Sequence, residues 1–215
     1  MKKVFLNEDY EVLMFKVGIM PTNCYLILNV KEKKAVVLDP GFYDEELLNF
    51  VKEKKITIEF VLLTHGHFDH ILGVNSLNSK ATYINEKDKE MLQDSFKNAG
   101  FVARILKLEE IKNLKTFKDC DEINFLKEHF KVIATPGHTK GSSCFVFLDE
   151  VIFTGDTLFK ESVGRTDLYG GDSKTLKDSL LKLKNLKKDY VILPGHGKET
   201  TLNYEKVNNL NLMWN

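Results

Sequence analysis

The chain has 215 residues, with 31 basic against 31 acidic side chains and 43% hydrophobic content. These figures suit a substantial hydrophobic core and exclude a disordered or collagen-like chain. With no net charge there is no global field to draw in nucleic acid or an anionic membrane surface, so a small-molecule substrate is expected, bound by a monomer or homodimer.

In chain order, "MKKVFLNEDYEVLMF" carries two lysines but only a three-residue apolar stretch before Asn7, Glu8 and Asp9, too short for the apolar region of a signal peptide. Three β segments follow, "YEVLMFKV", "NCYLILNV" and "KAVVLDPG", rich in β-branched or aromatic residues and punctuated as in a meander. A helix is expected from Tyr43 to Lys54, with Leu47, Leu48 and Val51 on one stripe and Asp44, Glu45 and Glu46 at its positive end. "IEFVLLTH" is too short for a helix and reads as an interior strand covered on both faces. "INEKDKEMLQDSFKN" reads as a surface helix, and "LKLEEIKNLKTFKDCDEINF" as loop and edge strand. "FKVIATPGH", "VIFTGD" and, after a helix around Leu176, Leu180 and Leu183, "YVILPGHG" are further strands that each end in polar punctuation. No linker divides the chain and no stretch approaches membrane-spanning length, so residues 1–215 read as one domain. Cys24, Cys120 and Cys144 are odd in number and form no CxxC, which fits small buried hydrophobes in a reducing compartment. The cytoplasm is the expected location.

Five of the six histidines stand directly after these apolar runs. "HGHFDH" supplies His65, His67, Asp69 and His70, and the later strand ends supply His138, Asp156 and His196. Imidazole and carboxylate are the ligands of zinc, iron and manganese, and a catalytic site needs three or four per ion with a position left for water. Seven such groups, one carboxylate shared, fill two coordination spheres. In an extended turn His65 and His67 aim at one ion, while Asp69 and His70 fall beyond the turn toward a neighbour. Two divalent ions are expected, zinc first, with iron or manganese as alternatives. His129, in a polar stretch, reads as structural.

These motifs resemble the metallo-β-lactamase superfamily: "HGHFDH" matches its HxHxDH signature, and "TPGHT", "FTGD" and "LPGHG" match its later ligand segments. "TNCYLI" and "LDPG" look like its first strands. The resemblance implies an α/β fold, an αββα sandwich with a metal site at one edge. It also implies that His65, His67 and His138 hold one metal, that Asp69, His70 and His196 hold the other, and that Asp156 bridges them. Exported two-zinc β-lactamases with HxHxDH carry a cysteine where this chain has Asp156. "GDTLF" followed by "SVGRTDLYGGD" is similar to glyoxalase II, the hydroxyacylglutathione hydrolases, and the single-domain members of that group match best.

The activity so implied is hydrolysis of S-2-hydroxyacylglutathione or a related acyl thioester by a hydroxide bridging two metals, with Asp69 orienting that nucleophile. A thioester suits the chemistry because a thiol of pKa about 8.5 leaves without a strong general acid. A persulfide dioxygenase, holding one iron through His65, His138 and Asp156, shares the motifs and is the alternative. A nuclease would need phosphate-binding positive charge, and a flavodiiron reductase would have Glu in place of His67. Arg165, one of two arginines, is a candidate for binding a substrate carboxylate, and pairing with Asp167 is its structural alternative. Lys160, Tyr169 and Lys198 are weaker candidates.

Overall fold

The strand Tyr10–Val17 alternates between two cores: Tyr10, Val12 and Met14 face one, and Leu13, Phe15 and Val17 the other. Period-two alternation with both faces buried explains why so many runs are apolar at every residue. The computed structural model describes residues 1–213 and shows two such sheets stacked face to face.

The first sheet keeps chain order: β1 (Lys2–Leu6), β2 (Tyr10–Val17), β3 (Thr22–Asn29), β4 (Lys34–Leu38), β5 (Thr57–Leu62), β6 (Thr82–Asn85) and β7 (Leu114–Phe117). β1 to β4 form the antiparallel meander, whereas β4 to β7 are parallel neighbours. A parallel neighbour needs a crossover. α1 (Glu45–Glu53) makes the one from β4 to β5, and Asp44 caps it by accepting from the Leu47 N–H at 2.8 Å. α2 (Phe68–Ile71) follows β5.

The second sheet contains β8 (Glu122–Phe125), β9 (Glu128–Ala134), β10 (Ser143–Phe147) and β11 (Val151–Gly155). A small hairpin, β12 (Leu158–Phe159) and β13 (Ser162–Val163), and α3 (Ser173–Lys184) then lead to β14 (Val191–Pro194), which pairs parallel with β11. β15 (Thr200–Thr201) and α4 (Leu202–Asn208) complete that half. The order is β15-β14-β11-β10-β9-β8. α1 covers the outer face of the first sheet through Leu47, and α3 covers the second through Leu176, Leu180 and Leu183. The architecture is an αββα sandwich.

Three expectations need correcting. The stretch from Ile84 to Asn98 holds no α-helix: β6 ends at Asn85 and Glu86–Gln93 winds as 3₁₀ turns. The Asn85 side chain accepts from the Lys87 N–H, and the buried Asp88 and Met91 are three residues apart, which suits three residues per turn. Lys118 to Asp121 separates two strands at the edges of different sheets, β7 and β8, where one edge strand was expected. Cys120 sits in that connection with a positive φ of 66° and is exposed, unlike the buried Cys24 and Cys144. β1 was not anticipated at all. Among the described residues no helix is long and apolar enough to cross a membrane.

The central core is aromatic. Phe130 stacks on Phe147 with ring centroids 4.6 Å apart, and Tyr10 meets Phe147 edge-on at 5.2 Å. Phe147→Ala should therefore cost about 3–5 kcal/mol, read as a lower urea midpoint; a loss below about 1 kcal/mol would show that the two sheets do not depend on this contact.

Candidate metal centre

Every candidate ligand lies just beyond the C-terminal end of a strand. His65 and His67 follow β5, Asp69 and His70 lie in α2, His138 follows β9, Asp156 follows β11 and His196 follows β14. β5 belongs to one sheet and β9, β11 and β14 to the other, so the cluster forms only where the two sheets meet. Hydrogen bonds across the sandwich fix that meeting. The Asn23 N–H donates to the Gly195 carbonyl at 2.7 Å, Tyr25 Oη to the Pro194 carbonyl at 2.7 Å, and the Ser143 N–H to the Thr64 carbonyl at 2.9 Å. Gly195 has no room for a side chain: a Cβ would lie 2.3 Å from Asp156 Oδ1 and 2.8 Å from the His70 ring.

His65, His67 and His138 present donor atoms that all lie within 4.8 Å of one another, and so do Asp69, His70 and His196. Asp156 stands between these triads. Its Oδ1 is 3.4 Å from His70 Nε2, and its Oδ2 is 3.6 Å from both His138 Nε2 and His196 Nε2. Asp69 Oδ2 lies 3.2 Å from His196 Nε2 and accepts from Thr22 Oγ1 at 3.2 Å.

The surrounding hydrogen bonds assign the tautomers. Thr64 Oγ1 donates to Asp39 Oδ2 at 2.6 Å, so it accepts from His65 Nδ1 at 3.0 Å. His70 Nδ1 donates to Asp39 Oδ2 at 2.9 Å, and His138 Nδ1 donates to the Arg165 carbonyl at 2.7 Å. In the neutral ring each bond leaves Nε2 as the nitrogen that faces the cluster. His67 Nδ1 comes to 2.9 Å from His138 Nε2. The buried His65 Nε2, His67 Nε2, His70 Nε2 and Asp156 Oδ1 have no protein partner, which is costly for groups out of water and is relieved by a cation.

Electrostatics agree with a cation site. Burial, reinforced by neighbouring imidazoles, pushes His65 well below the usual histidine range and His67 down to about 3, so both rings are neutral and ready to ligate. Burial opposes charge on His70, yet Asp69, Asp39 and Asp156 outweigh it and raise that pKa well above the ordinary value. Burial likewise opposes ionisation of Asp69 and Asp156. His70 outweighs it at both, with His196 adding to the pull, and both carboxyls are held below their usual range. The donor set fits one or two divalent ions.

Sequence reasoning missed three supports. Asp39, at φ 48°, accepts from the Thr64 N–H at 2.8 Å as well as from Thr64 Oγ1 and His70. Asp88, fully buried, ties the two ligand loops together: it accepts from the Gly66 N–H at 3.0 Å, the Gly141 N–H at 2.6 Å and Thr139 Oγ1 at 2.6 Å. Glu205 of α4, also buried, accepts from the Glu161 N–H at 2.8 Å, from Asn209 Nδ2 at 2.8 Å and from Thr200 Oγ1 at 2.7 Å. The loop it anchors leads to Arg165. The Arg165 guanidinium pairs with Asp167 through two bonds of 2.6 and 2.7 Å, while its carbonyl orients His138. Lys160 lies over the Tyr204 ring, Tyr169 donates to Glu90, and Lys198 is exposed. His129 is on β9, with Nε2 3.5 Å from Glu122.

A histidine–aspartate cluster at the edge of an αββα sandwich defines a metalloenzyme scaffold. A family model described as the metallo-beta-lactamase superfamily matches residues 17–196, and the chain belongs to that superfamily. The hydroxyacylglutathione hydrolase GloC of Haemophilus influenzae is 36% identical over 197 residues, covering 87% of this chain and 91% of that protein. The crystal structure of the BLEG-1 B3 metallo-beta-lactamase matches with a TM-score of 0.85 at 32% identity, over 94% of this chain and all of that one. That of TTHA1623 in a di-iron-bound form matches with a TM-score of 0.80 at 29% identity, covering 93% and 99%.

Asp39→Asn removes the charge behind His70 while keeping a residue type that tolerates positive φ. It should weaken metal affinity about 10–100-fold, measured by competition with a chromophoric chelator; unchanged affinity would show that the Asp39–His70 bond does not tune the site.

Proposed function

We propose that this chain is a binuclear metallohydrolase of the glyoxalase II type, acting on S-2-hydroxyacylglutathione or a related acyl thioester. The observation that carries the reading is the pair of adjoining triads with Asp156 between them. The likeness to GloC supports the thioester. In this reading His65, His67 and His138 hold one ion, Asp69, His70 and His196 the other, and Asp156 both. Zinc is the first choice of metal, and iron is the second in view of the di-iron neighbour. Bound there, two such ions would acidify water and polarise the scissile carbonyl.

Hydrolysis adds the oxygen of water to the acyl carbon and breaks the carbon–sulfur bond, giving a carboxylate, a thiol and one proton. In this reading Asp69 orients the water-derived nucleophile by accepting a hydrogen bond from it. Its depressed pKa keeps it ionised at neutral pH, and Thr22 Oγ1 fixes the orientation of its carboxylate. The buried thiols supply no competing nucleophile: burial pushes Cys144 up to about 11 and Cys24 well above its usual value. The alternative, a one-iron dioxygenase holding its metal through His65, His138 and Asp156, shares these motifs, and the likeness to GloC is what favours the hydrolase. A cytoplasmic location belongs to the same reading.

Asp69→Ala should lower thioester hydrolysis by about 10²–10⁴-fold with the thermal midpoint within a few degrees of the parent; retained activity would remove Asp69 from the mechanism. Elemental analysis should find two metals per chain, with hydrolysis of S-lactoylglutathione or a related thioester and no oxygen uptake on glutathione persulfide. One iron with oxygen uptake would make the dioxygenase the better account. A β-lactam belongs in the same panel because of the likeness to BLEG-1, and turnover of it alone would replace the thioester reading.

A further inference from the structure

A cavity of about 640 Å³ opens from His67, Asp69, His138, Asp156 and His196 to the surface. Its walls come from three separate segments. The β2–β3 turn contributes Ile19 and Met20, which are 74% and 51% exposed. A second segment contributes Ala99, Val102 and Ala103, with Val102 67% exposed. The third wall, from the loops after β11, holds Phe159, Val163 and Leu168.

These walls are built, not incidental. Thr22, which follows the first wall, bonds Asp69. The second wall is fixed at its base by the buried Asn98: its carbonyl accepts from the Phe68 N–H at 3.0 Å, its Oδ1 from the Gly100 N–H at 2.9 Å, and its Nδ2 donates to the Met91 carbonyl at 3.0 Å. Apolar side chains held in water beside a reactive site mark a surface that meets a ligand.

The charge of that lining is as informative. Apart from the candidate metal ligands, Arg165 is the one charged residue lining the cavity among the described residues, and Asp167 neutralises it through two bonds. Arg104 follows Ala103 in the chain but does not line the cavity. A glutathionyl arm brings two carboxylates and an ammonium group, and the walls offer them no unpaired charge. An alkyl or aryl arm would gain at all three walls.

We propose that the mouth formed by Ile19, Met20, Val102 and Phe159 selects thioesters with an uncharged, apolar thiol arm over glutathione thioesters. This rests on the thioester reading above and specifies its substrate class.

The test holds the acyl group constant and varies the thiol. With metal-loaded protein, lactoyl thioesters of methanethiol, butane-1-thiol and hexane-1-thiol are compared with S-lactoylglutathione. The expected kcat/KM rises about fourfold for each methylene buried and is at least about tenfold higher for hexyl than for glutathionyl, in keeping with what a few buried methylenes supply. Binding is read separately by calorimetry with the unreactive ketone that carries CH₂ in place of the hexyl thioester's sulfur. Val102→Asp, at an exposed position, should weaken that binding about tenfold with metal content and thermal midpoint unchanged, and Met20→Ser should act in the same direction.

A preference for S-lactoylglutathione would overturn the proposal and leave the thioester reading intact. If no thioester is hydrolysed but ketone binding shows the expected sensitivity to Val102→Asp, the thioester reading falls and an apolar-ligand mouth stands. Ketone affinity equal in wild type and both variants would overturn the mouth itself. A change in oligomeric state alone, by sedimentation of Val102→Asp, would make the patch a subunit contact and also overturn it.

Discussion

Neither sheet carries a complete ligand set, so the site depends on the register with which the two sheets meet at one edge. Apolar burial between them is strong but non-directional, and by itself would tolerate a small slide of one sheet over the other. The directional bonds from Asn23 and Tyr25 to Gly195 and Pro194, and from Ser143 to Thr64, remove that freedom where it matters. They join the segment before His196 to the first sheet and the segment before His65 to the second. The large aromatic core supplies the stability, and these few polar bonds supply the alignment.

Alignment also has an electrostatic side. Buried among other rings, His65 and His67 stay neutral, whereas Asp69 and Asp156 stay ionised and their charge raises the pKa of His70. The result is a pocket rich in lone pairs and negative charge, whose own protons are drawn outward to Asp39 and to the Arg165 carbonyl. Asp88 adds a mechanical constraint, because one carboxylate accepts from both the loop of His65 and His67 and the loop that follows His138. Displacing either loop disturbs both halves of the cluster.

Much of this was legible in the sequence. Runs such as "FVLLTH" and "VIFTGD" are apolar at every position because both strand faces are buried, and the polar residue that ends each run lies at the sheet edge by construction. The gathering of His65, His67, Asp69, His70, His138, Asp156 and His196 at strand ends could be anticipated on that basis, whereas the four layers were implied by the resemblance to the superfamily. The supports could not. Asp39 reads as turn punctuation, and Asp88 sits among lysines and glutamates that resemble a solvated helix face; only the three-dimensional meeting of loops shows that its carboxylate points inward. Arg165 drew notice for its side chain, yet the structure engages its backbone carbonyl at His138, and a carbonyl has no signature in sequence. The apolar mouth was hidden for a related reason, since Ile19, Val102 and Leu168 are far apart in the chain and unremarkable singly.

Glu205 gives the tail of the chain a part in the site that no motif reports. From α4 it grips the Glu161 amide, and the loop that begins there runs through Gly164, packed against the Asp156 carbonyl, to the carbonyl that sets His138. A chain cut just after His196 would retain every histidine and aspartate that marks the superfamily, yet would unfasten the loop on which one imidazole's orientation depends. Motif integrity and functional integrity are therefore separable in this fold. In fragments or fusions, the boundary to respect lies beyond the last ligand, at the end of the helix that carries Glu205.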